Sequence, residues 1–322
     1  MQYRRLGKSN IEASAVAYGA WAIGGWMWGG TDDEKAIRSI HAALDSGITL
    51  IDTAPAYGLG HSESVVGKAL VGKRDKAIVA TKCGLVWHVQ KGTHYFDQDG
   101  KPVYRYLGGE SIRYEVEQSL KRLQTDYIDL LQTHWQDATT PLEETMGTLL
   151  DLKKEGKIRA IGASNCSLSD LQHYTKLGQL DVDQEKYSMI DREIETEILP
   201  FDRENGIALL AYAPLASGLL TGKIPPGRVF AEDDQRYNKP RFNDDSRTKI
   251  LNMLNEMKPV ADHYGLTFSQ LVIAWTIAQE GITHALVGAR DEAQAVENAR
   301  AGSVSLSPDE IQIVTDCISY QN

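Results

Sequence analysis

The chain has 322 residues, 42% hydrophobic and 24% charged, with 28 Gly and 10 Pro. These proportions exclude a fibrous or disordered chain, and the length allows a core large enough to bury a few charged groups. The net charge of −10 disfavours nucleic acid and anionic lipid as partners, so an anionic ligand needs a local basic pocket.

The elements follow one another in a regular rhythm. "QYRRLG" and "IEASAVAYG", separated by Lys8-Ser9-Asn10, predict an N-terminal β-hairpin whose second arm runs into a first core strand ending at Gly19. "TDDEKAIRSIHAALDSG" predicts a helix with Thr31 as N-cap and Gly47 as its stop. "ITLIDT" is a strand, "SESVVGKALVG" a helix, and "KAIVATK" a strand ending on Lys82. "SIRYEVEQSLKRLQ" is a helix and "YIDLLQTH" a strand ending on His134. "PLEETMGTLLDLKKEG" (helix) and "IRAIGASN" (strand) follow, then "LSDLQHYTKLG" (helix) and "LDVDQEKY" (strand). "REIETEILPFDRENG" reads as one helix and "IALLAYAP" as a strand ending near Tyr212. Two helices, "RTKILNMLNEMKPVADHYG" and "TFSQLVIAWTIAQEG", precede the strand "THALVGA" and the helices "RDEAQAVENARAG" and "SPDEIQIVTDCIS". Residues 84–108 and 216–246 interrupt the rhythm and read as long loops.

Short apolar strands separated by helices, about eight of them, predict an α/β fold: a single (β/α)8 TIM barrel over residues 1–322, with an N-terminal β-hairpin and long loops at the C-terminal rim. An open doubly wound sheet would carry a Gly-x-Gly-x-x-Gly turn after an early strand, and "YGLGHSE" lacks the third glycine. Cys83, Cys166 and Cys317 have no disulfide or zinc spacing and read as free thiols. No His-x-His pair ends a strand, so no metal is expected. The polar start "MQYRRLGKSN" and the absence of a long apolar run predict a cytoplasmic protein without a membrane span.

In a barrel, the strand ends converge on one rim. Here they carry Asp52, Lys82, His134, Ser164 with Asn165, Gln184 and Tyr212. Tyr57 follows Asp52 on the loop "TAPAYGLG". A phenol has an ordinary pKa of about 10, and a nearby ammonium lowers it. Lys82, held by Asp52, is expected to tune Tyr57 in this way, making it a proton donor to a carbonyl oxygen. His134 would supply a second hydrogen bond to that oxygen. The hydride must come from a cofactor, because no side chain supplies one.

The fragments "DTAPAYGLGHSE", "VATKCG", "YIDLLQTHW", "KIRAIGASN", "DQEKY", "LLAYAPLASGLLTGK" and "ALVGARDEAQAVEN" together resemble the aldo-keto reductases, particularly their bacterial general-stress and inositol-operon branch. The resemblance implies an NAD(P)H-dependent carbonyl reductase, most often using NADPH, with Asp52, Tyr57, Lys82 and His134 as catalytic tetrad. It implies that Ser164, Asn165 and Gln184 bind the nicotinamide carboxamide and that Tyr212 stacks on its ring. Gly19, Ala20 and Trp21 would meet the cofactor at the first strand's end, with Asp52 nearby. Ala213, Pro214, Leu215, Ser217, Gly218, Leu219 and Lys223 would follow the pyrophosphate. Gly288, Ala289, Arg290, Gln294, Glu297 and Asn298 would hold the adenosine end. Arg290 would suit a 2′-phosphate, which favours NADPH over NADH. Trp21, Trp26, Trp28, Tyr57, Trp87, His134 and Trp135 are the expected substrate pocket. His134-Trp135-Gln136 departs from the usual His-Trp-Pro of the family. The alternative function is a cofactor-sensing binding module like the potassium-channel β subunits, which resemble the same family.

Overall fold

The computed structural model describes residues 1–318. Its centre is a closed barrel of eight parallel strands. In chain order these are β3 (Val16–Gly19), β4 (Leu50–Asp52), β5 (Ile78–Cys83), β9 (Ile128–Thr133), β10 (Ile158–Ser164), β11 (Val182–Lys186), β12 (Ala208–Tyr212) and β13 (Ile282–Gly288). β13 closes the ring against β3, with Gly288 opposite Gly19. The N-terminal hairpin pairs β1 (Tyr3–Arg5) with β2 (Glu12–Ser14).

Alternation along each strand explains how one barrel carries both a core and a site. Side chains two residues apart point to the same side. The central apolar cluster takes Ala17, Leu50, Ala80, Leu130, Ala160, Val182, Leu210 and Leu286 from the eight strands. Leu6, Ile11 and Ala13 of the hairpin join the same cluster, so the hairpin plugs the N-terminal end. Two residues further along those strands stand Gly19, Asp52, Lys82, Gln132, Gly162, Gln184, Tyr212 and Gly288. The inward layer thus changes from apolar to polar or glycine in one step toward the C-terminal rim.

The helices cover the outside. They include α1 (Asp33–Asp45), α2 (His61–Ala69), α3 (Gly109–Leu123), α4 (Leu142–Lys154), α5 (Leu168–Leu177) and α6 (Ile198–Asn205). α7 (Asp244–Glu256), α8 (Lys258–Tyr264), α9 (Phe268–Ala278), α10 (Glu292–Ala301) and α11 (Pro308–Asp316) complete them. In α1 the inward stripe is Ala36, Ser39, Ile40 and Ala43. Its N-cap is Asp32, which accepts from Lys35 N–H, rather than the expected Thr31.

The structure corrects several expectations. Residues 84–108 are not a loop. β6 (Leu85–Val86), β7 (Thr93–Gln98) and β8 (Lys101–Arg105) form a three-stranded antiparallel sheet in the order β6-β8-β7. Asp99-Gly100, with φ of 51° and 72°, makes the β7–β8 turn, and Asp-Gly between alternating residues is a strong hairpin signal. "REIETEILPFDRENG" is a 3₁₀ turn at Glu193–Glu195 followed by α6, not one helix. The expected helix from Arg247 onward splits into α7 and α8, with Pro259 in the first turn of the second. The expected terminal helix is α11, ending at Asp316, and its last expected residue, Ser319, lies outside the described residues. Among the described residues no helix is long and apolar enough to cross a membrane. The three cysteines are free, as expected.

One cluster in the barrel wall ties stability to pH. Asp183 and Glu185 on β11 face outward against Asp202 of α6. Neither oxygen of Asp183 or Asp202 receives a hydrogen bond from a donor among the described residues. Glu185 alone accepts one, from Cys166 N–H at 2.7 Å. Carboxyl groups so placed must share protons, because like charges in an apolar wall are costly. Burial first, and then the mutual repulsion, pushes Asp183 well above the ordinary carboxylate range. Burial likewise pushes Glu185 up to about 7, and burial with Glu185 pushes Asp202 up to about 8. The folded chain therefore keeps protons that the unfolded chain releases near pH 4. Stability is expected to fall as pH rises between about 5 and 8, by about 1.4 kcal/mol per pH unit for each such proton. Urea midpoints across that range will show the decline, and Asp202→Asn will flatten it; a midpoint that rises with pH would contradict the shared-proton cluster.

Candidate active site

The polar layer of the barrel is built around one cation. Lys82 Nζ donates to Asp52 Oδ2 at 2.7 Å, to the carbonyl of Thr53 at 3.0 Å and to Tyr57 Oη at 3.1 Å. The side chains of Lys82 and Asp52 are only 1% and 5% exposed. The other Asp52 oxygen accepts from Gln184 Nε2 at 2.9 Å and from Gln132 Nε2 at 3.2 Å. Burial by itself would lower the lysine pKa, but Asp52 and Tyr57 together raise it above the usual ammonium value. Lys82 is accordingly a fixed positive charge.

Tyr57 reaches this cation because its loop turns sharply. Gly58, Leu59 and Gly60 all have positive φ, at 69°, 49° and 98°. A Cβ on Gly58 would lie 2.3 Å from the carbonyl oxygen of Gly24, and one on Gly24 would lie 2.8 Å from the Tyr57 backbone. Two glycines thus let the Tyr57 loop seat against the turn Ala22–Gly24. The expected lowering of the Tyr57 pKa does not occur. Burial raises it, the Lys82 charge opposes, Asp52 adds to the rise, and burial wins. Tyr57 therefore rests as the neutral phenol. The His134 ring meets that of Tyr57 edge-on, with centroids 5.7 Å apart. Burial first, then the Lys82 charge, holds the His134 pKa well below its ordinary value. The imidazole is neutral, with one N–H to donate and one nitrogen to accept.

Next to the four lies a second set of polar groups. Asn165, at φ 55°, donates to the His134 carbonyl at 2.8 Å and accepts from Tyr212 Oη at 2.8 Å. Ser164 Oγ donates to the Gln184 carbonyl at 2.7 Å. Gln136, where a proline was the family's usual residue, donates to the Ser164 carbonyl at 3.0 Å and accepts from Tyr174 Oη at 3.0 Å. It joins the ends of β9 and β10, which a proline would not do. Tyr212 is raised above the usual phenol value by burial first, then by Glu185, Tyr57 and Tyr95.

Part of the rim beside this layer is bare backbone. Gly19 and Gly288 sit side by side on β3 and β13, leaving a strip of rim without side chains; a Cβ on Gly288 would meet nothing closer than 3.8 Å. Ala213, Ala216, Ser217 and Gly218 have φ of 55°, 48°, 54° and 96°. Left-handed conformations at non-glycine residues cost about 1 kcal/mol each, and turns of this kind form anion-holding nests. A cleft of about 630 Å³ adjoins Ser217 and is lined by Arg236, Lys239, Arg241 and Lys249, among others. Arg236, Arg241 and Lys249 pair with Asp234, Asp191 and Asp245, so their charges are largely met within the chain. None of these four belongs to the expected set; Arg236, Lys239 and Arg241 fall together in "QRYNKPR", while Lys249 lies on α7.

The remaining expected residues are held by contacts of their own. Lys223 pairs with Glu297 at 2.8 Å, and Thr267 Oγ1 also donates to Glu297. Gln294 Oε1 accepts from Arg290 N–H, and Asn298 Nδ2 donates to the Gly288 carbonyl. Arg290 is exposed and donates to the Gly30 carbonyl at 3.1 Å. Gln235 N–H donates to the Met27 carbonyl, which ties the 216–246 segment to the loop after β3.

Trp21 and His134 lie against Tyr57, and the other expected rings pack on one another or on the small sheet. Trp21 lies 6.1 Å from Tyr57 and meets Trp28 edge-on at 5.4 Å. Trp26 stacks on Phe96 at 4.9 Å, and Trp135 packs against Tyr95 at 5.4 Å. Trp87 sits at the base of the small sheet with Ala56, Leu85 and Val103. The 84–108 insertion is an expected source of substrate contacts, and its sheet brings Tyr95, Phe96 and Arg105 to these rings.

This is the fold and rim chemistry of a barrel oxidoreductase, and the chain belongs to the aldo/keto reductase family, whose profile matches residues 15–319. It is 43% identical over 297 residues to aldo-keto reductase YhdN of Bacillus subtilis (strain 168), covering 91% of this chain and 86% of that protein. It is 42% identical over 308 residues to an NADH-specific methylglyoxal reductase of Escherichia coli (strain K12), covering 94% of each. The structure of the glycerol dehydrogenase AKR11B4 from Gluconobacter oxydans matches with a TM-score of 0.88 at 41% identity, over 98% of this chain and 94% of that one. The protein is an NAD(P)H-dependent oxidoreductase of carbonyl and alcohol groups.

The neutral state of His134 has a direct readout. Long-range ¹H–¹⁵N NMR is expected to show His134 as one neutral tautomer throughout the neutral pH range. A His134 midpoint at or above 6.5 would remove it from the neutral donors.

Proposed function

We propose that this enzyme reduces an aldehyde or ketone to the alcohol, reversibly, with NADPH as reductant and Tyr57 as the proton donor. The observation that carries this reading is the hydrogen bond from Lys82 Nζ to Tyr57 Oη within a buried Lys82–Asp52 pair. Bound nicotinamide supplies or accepts the hydride. The protein's own part is electrostatic. A substrate carbonyl oxygen between Tyr57 and His134 would receive two hydrogen bonds. As negative charge grows on it, Tyr57 gives up its proton, and the Lys82 ammonium stabilises the phenolate left behind. Asp52 keeps Lys82 charged and in place.

For the cofactor we assign the carboxamide to Ser164, Asn165 and Gln184, and the ring face to Tyr212. Gly19, Ala20 and Trp21 line its seat at the end of β3. The pyrophosphate goes to the turn containing Ala213, Pro214, Leu215, Ser217, Gly218 and Leu219, with Lys223 beside it. The adenosine end goes to Gly288, Ala289, Arg290, Gln294, Glu297 and Asn298. The exposed Arg290 guanidinium supports NADPH, since it suits a 2′-phosphate that NADH lacks. The Escherichia coli relative is named for the opposite preference, so a nucleotide comparison decides the matter. Three free thiols support the cytoplasmic reading.

Tyr57→Phe is expected to lower carbonyl reduction by about 10²–10⁴-fold while NADPH still quenches tryptophan fluorescence. Near-normal turnover of any carbonyl by that variant would remove Tyr57 as the acid. Because burial raises the Tyr57 pKa, reduction should hold through neutral pH and decline only in the alkaline range. Alcohol oxidation, which needs the phenolate, should rise over the same range; parallel pH profiles for the two directions would contradict this. In steady-state assays kcat/KM for NADPH should exceed that for NADH, and Arg290→Ala should narrow the ratio. A wild-type preference for NADH would overturn the cofactor assignment.

A further inference from the structure

The mouth of the site contains a cation that the reaction itself does not require. Arg105 ends β8, in the three-stranded sheet that rises beside the barrel. Its guanidinium lies 3.9 Å from the centroid of the Tyr95 ring and 4.6 Å from that of Trp135. Trp135 directly follows His134, and the His134 ring touches Tyr57. The Tyr95 and Trp135 rings pack on each other at 5.4 Å, so guanidinium and rings form one block. Cation–π contacts hold an arginine in position, but they supply no acceptor for its N–H groups. Among the described residues no carboxylate pairs with Arg105, and its buried Nε has no hydrogen-bond partner. Most other arginines of the chain pair with an acid or donate to a carbonyl, for example Arg122 with Glu63 and Arg236 with Asp234. Arg105 is thus a half-buried, positioned positive charge with its donors left over, close to the catalytic histidine.

The overall field sharpens the point. With a net charge of −10 the molecule repels small anions, so an anionic substrate needs a local cation to enter this mouth. Guanidinium binds carboxylate and phosphate through paired N–H donors, and it does so best when its plane is already oriented. The adjoining Tyr95 and Trp135 rings would pack against the carbon chain that joins the anion to the carbonyl.

We propose that Arg105 is a specificity residue and that the preferred substrates are carbonyl compounds carrying a carboxylate or phosphate group, which the Arg105 guanidinium binds while Tyr57 and His134 hold the carbonyl oxygen. This rests on the assignment of Tyr57 and His134 made above.

Two matched pairs test it, assayed by NADPH oxidation: succinic semialdehyde against butanal, and glyceraldehyde 3-phosphate against glyceraldehyde. The wild-type enzyme is expected to show at least a tenfold higher kcat/KM for the anionic member of one pair, and the pair that does so tells carboxylate from phosphate. In Arg105→Met that ratio should collapse to within about twofold of one, through a rise in KM for the anion. Arg105→Lys, which keeps the charge but not the paired donors, should restore part of it. Added salt should lower the wild-type ratio and leave that of Arg105→Met unchanged. A wild-type ratio near or below one in both pairs overturns the proposal, as does a ratio that Arg105→Met leaves unaltered. Turnover of none of the four compounds also counts against it. Tyr57→Phe serves as the separate control. If it reduces the four compounds as fast as wild type, the assignment of the acid fails, whatever the charge ratios show.

Discussion

The buried polar layer of this protein is organised around a lysine and an aspartate paired inside a barrel. Removing one partner of a buried ion pair typically costs about 3–5 kcal/mol, because the other is left charged and unsatisfied. Here both charges are fully engaged. Asp52 takes the ammonium on one oxygen and two amide donors, from Gln132 and Gln184, on the other. Lys82 spends its three donors on Asp52, the Thr53 carbonyl and Tyr57. The pair is thus stable because the phenol is its third ligand. The same bond that completes the lysine's coordination puts a neutral phenol beside a permanent positive charge. In the proposed reaction, structural necessity and acid–base chemistry share that contact.

The barrel makes that arrangement possible by separating its two ends. The interior is apolar where the hairpin residues Leu6, Ile11 and Ala13 enter it, and polar two residues further along the strands. Strand alternation means that a single step of two residues moves every inward position from one layer to the next. The apolar layer excludes water from below, which strengthens the electrostatics of the layer above it. It also explains why Tyr57 and His134 are both neutral at rest. Their surroundings are dry enough that burial outweighs the attraction of Tyr57 to the Lys82 charge, and the same charge disfavours imidazolium.

Much of this was legible in the chain itself. The alternation of apolar strands with capped helices led to the eight-stranded barrel, and the residues that end the strands led to Asp52, Lys82 and His134. Other features were hidden for identifiable reasons. Gln132 lies two residues before the end of "YIDLLQTH", where a polar side chain looks like a strand interruption; only the inward face of β9 makes it an Asp52 ligand. Residues 84–108 are legible as a source of substrate contacts, but which of their side chains face the barrel depends on the sheet register around the Asp-Gly turn. The sign of the Tyr57 shift was missed because proximity to a cation can be guessed from a motif, whereas depth of burial cannot. Asp183, Glu185 and Asp202 are ordinary surface-type acids in the sequence, and nothing local indicates that α6 closes over β11 to bury them.

By itself the sequence determined the local matters: the order of the barrel strands and most of the helices, which polar groups stand at strand ends, and the tyrosine loop with its glycines. These follow from short-range sterics, capping and hydrophobic period, which act over a few neighbouring residues. The tertiary structure alone decided how far each group is from water and from the next charge. Lys82 and Asp52 are 30 residues apart in sequence, and Gln184 and Asp52 are 132. Closing the barrel brings them within hydrogen-bonding distance, and electrostatic energy depends on that distance and on the surrounding dielectric, neither of which is a property of any residue by itself.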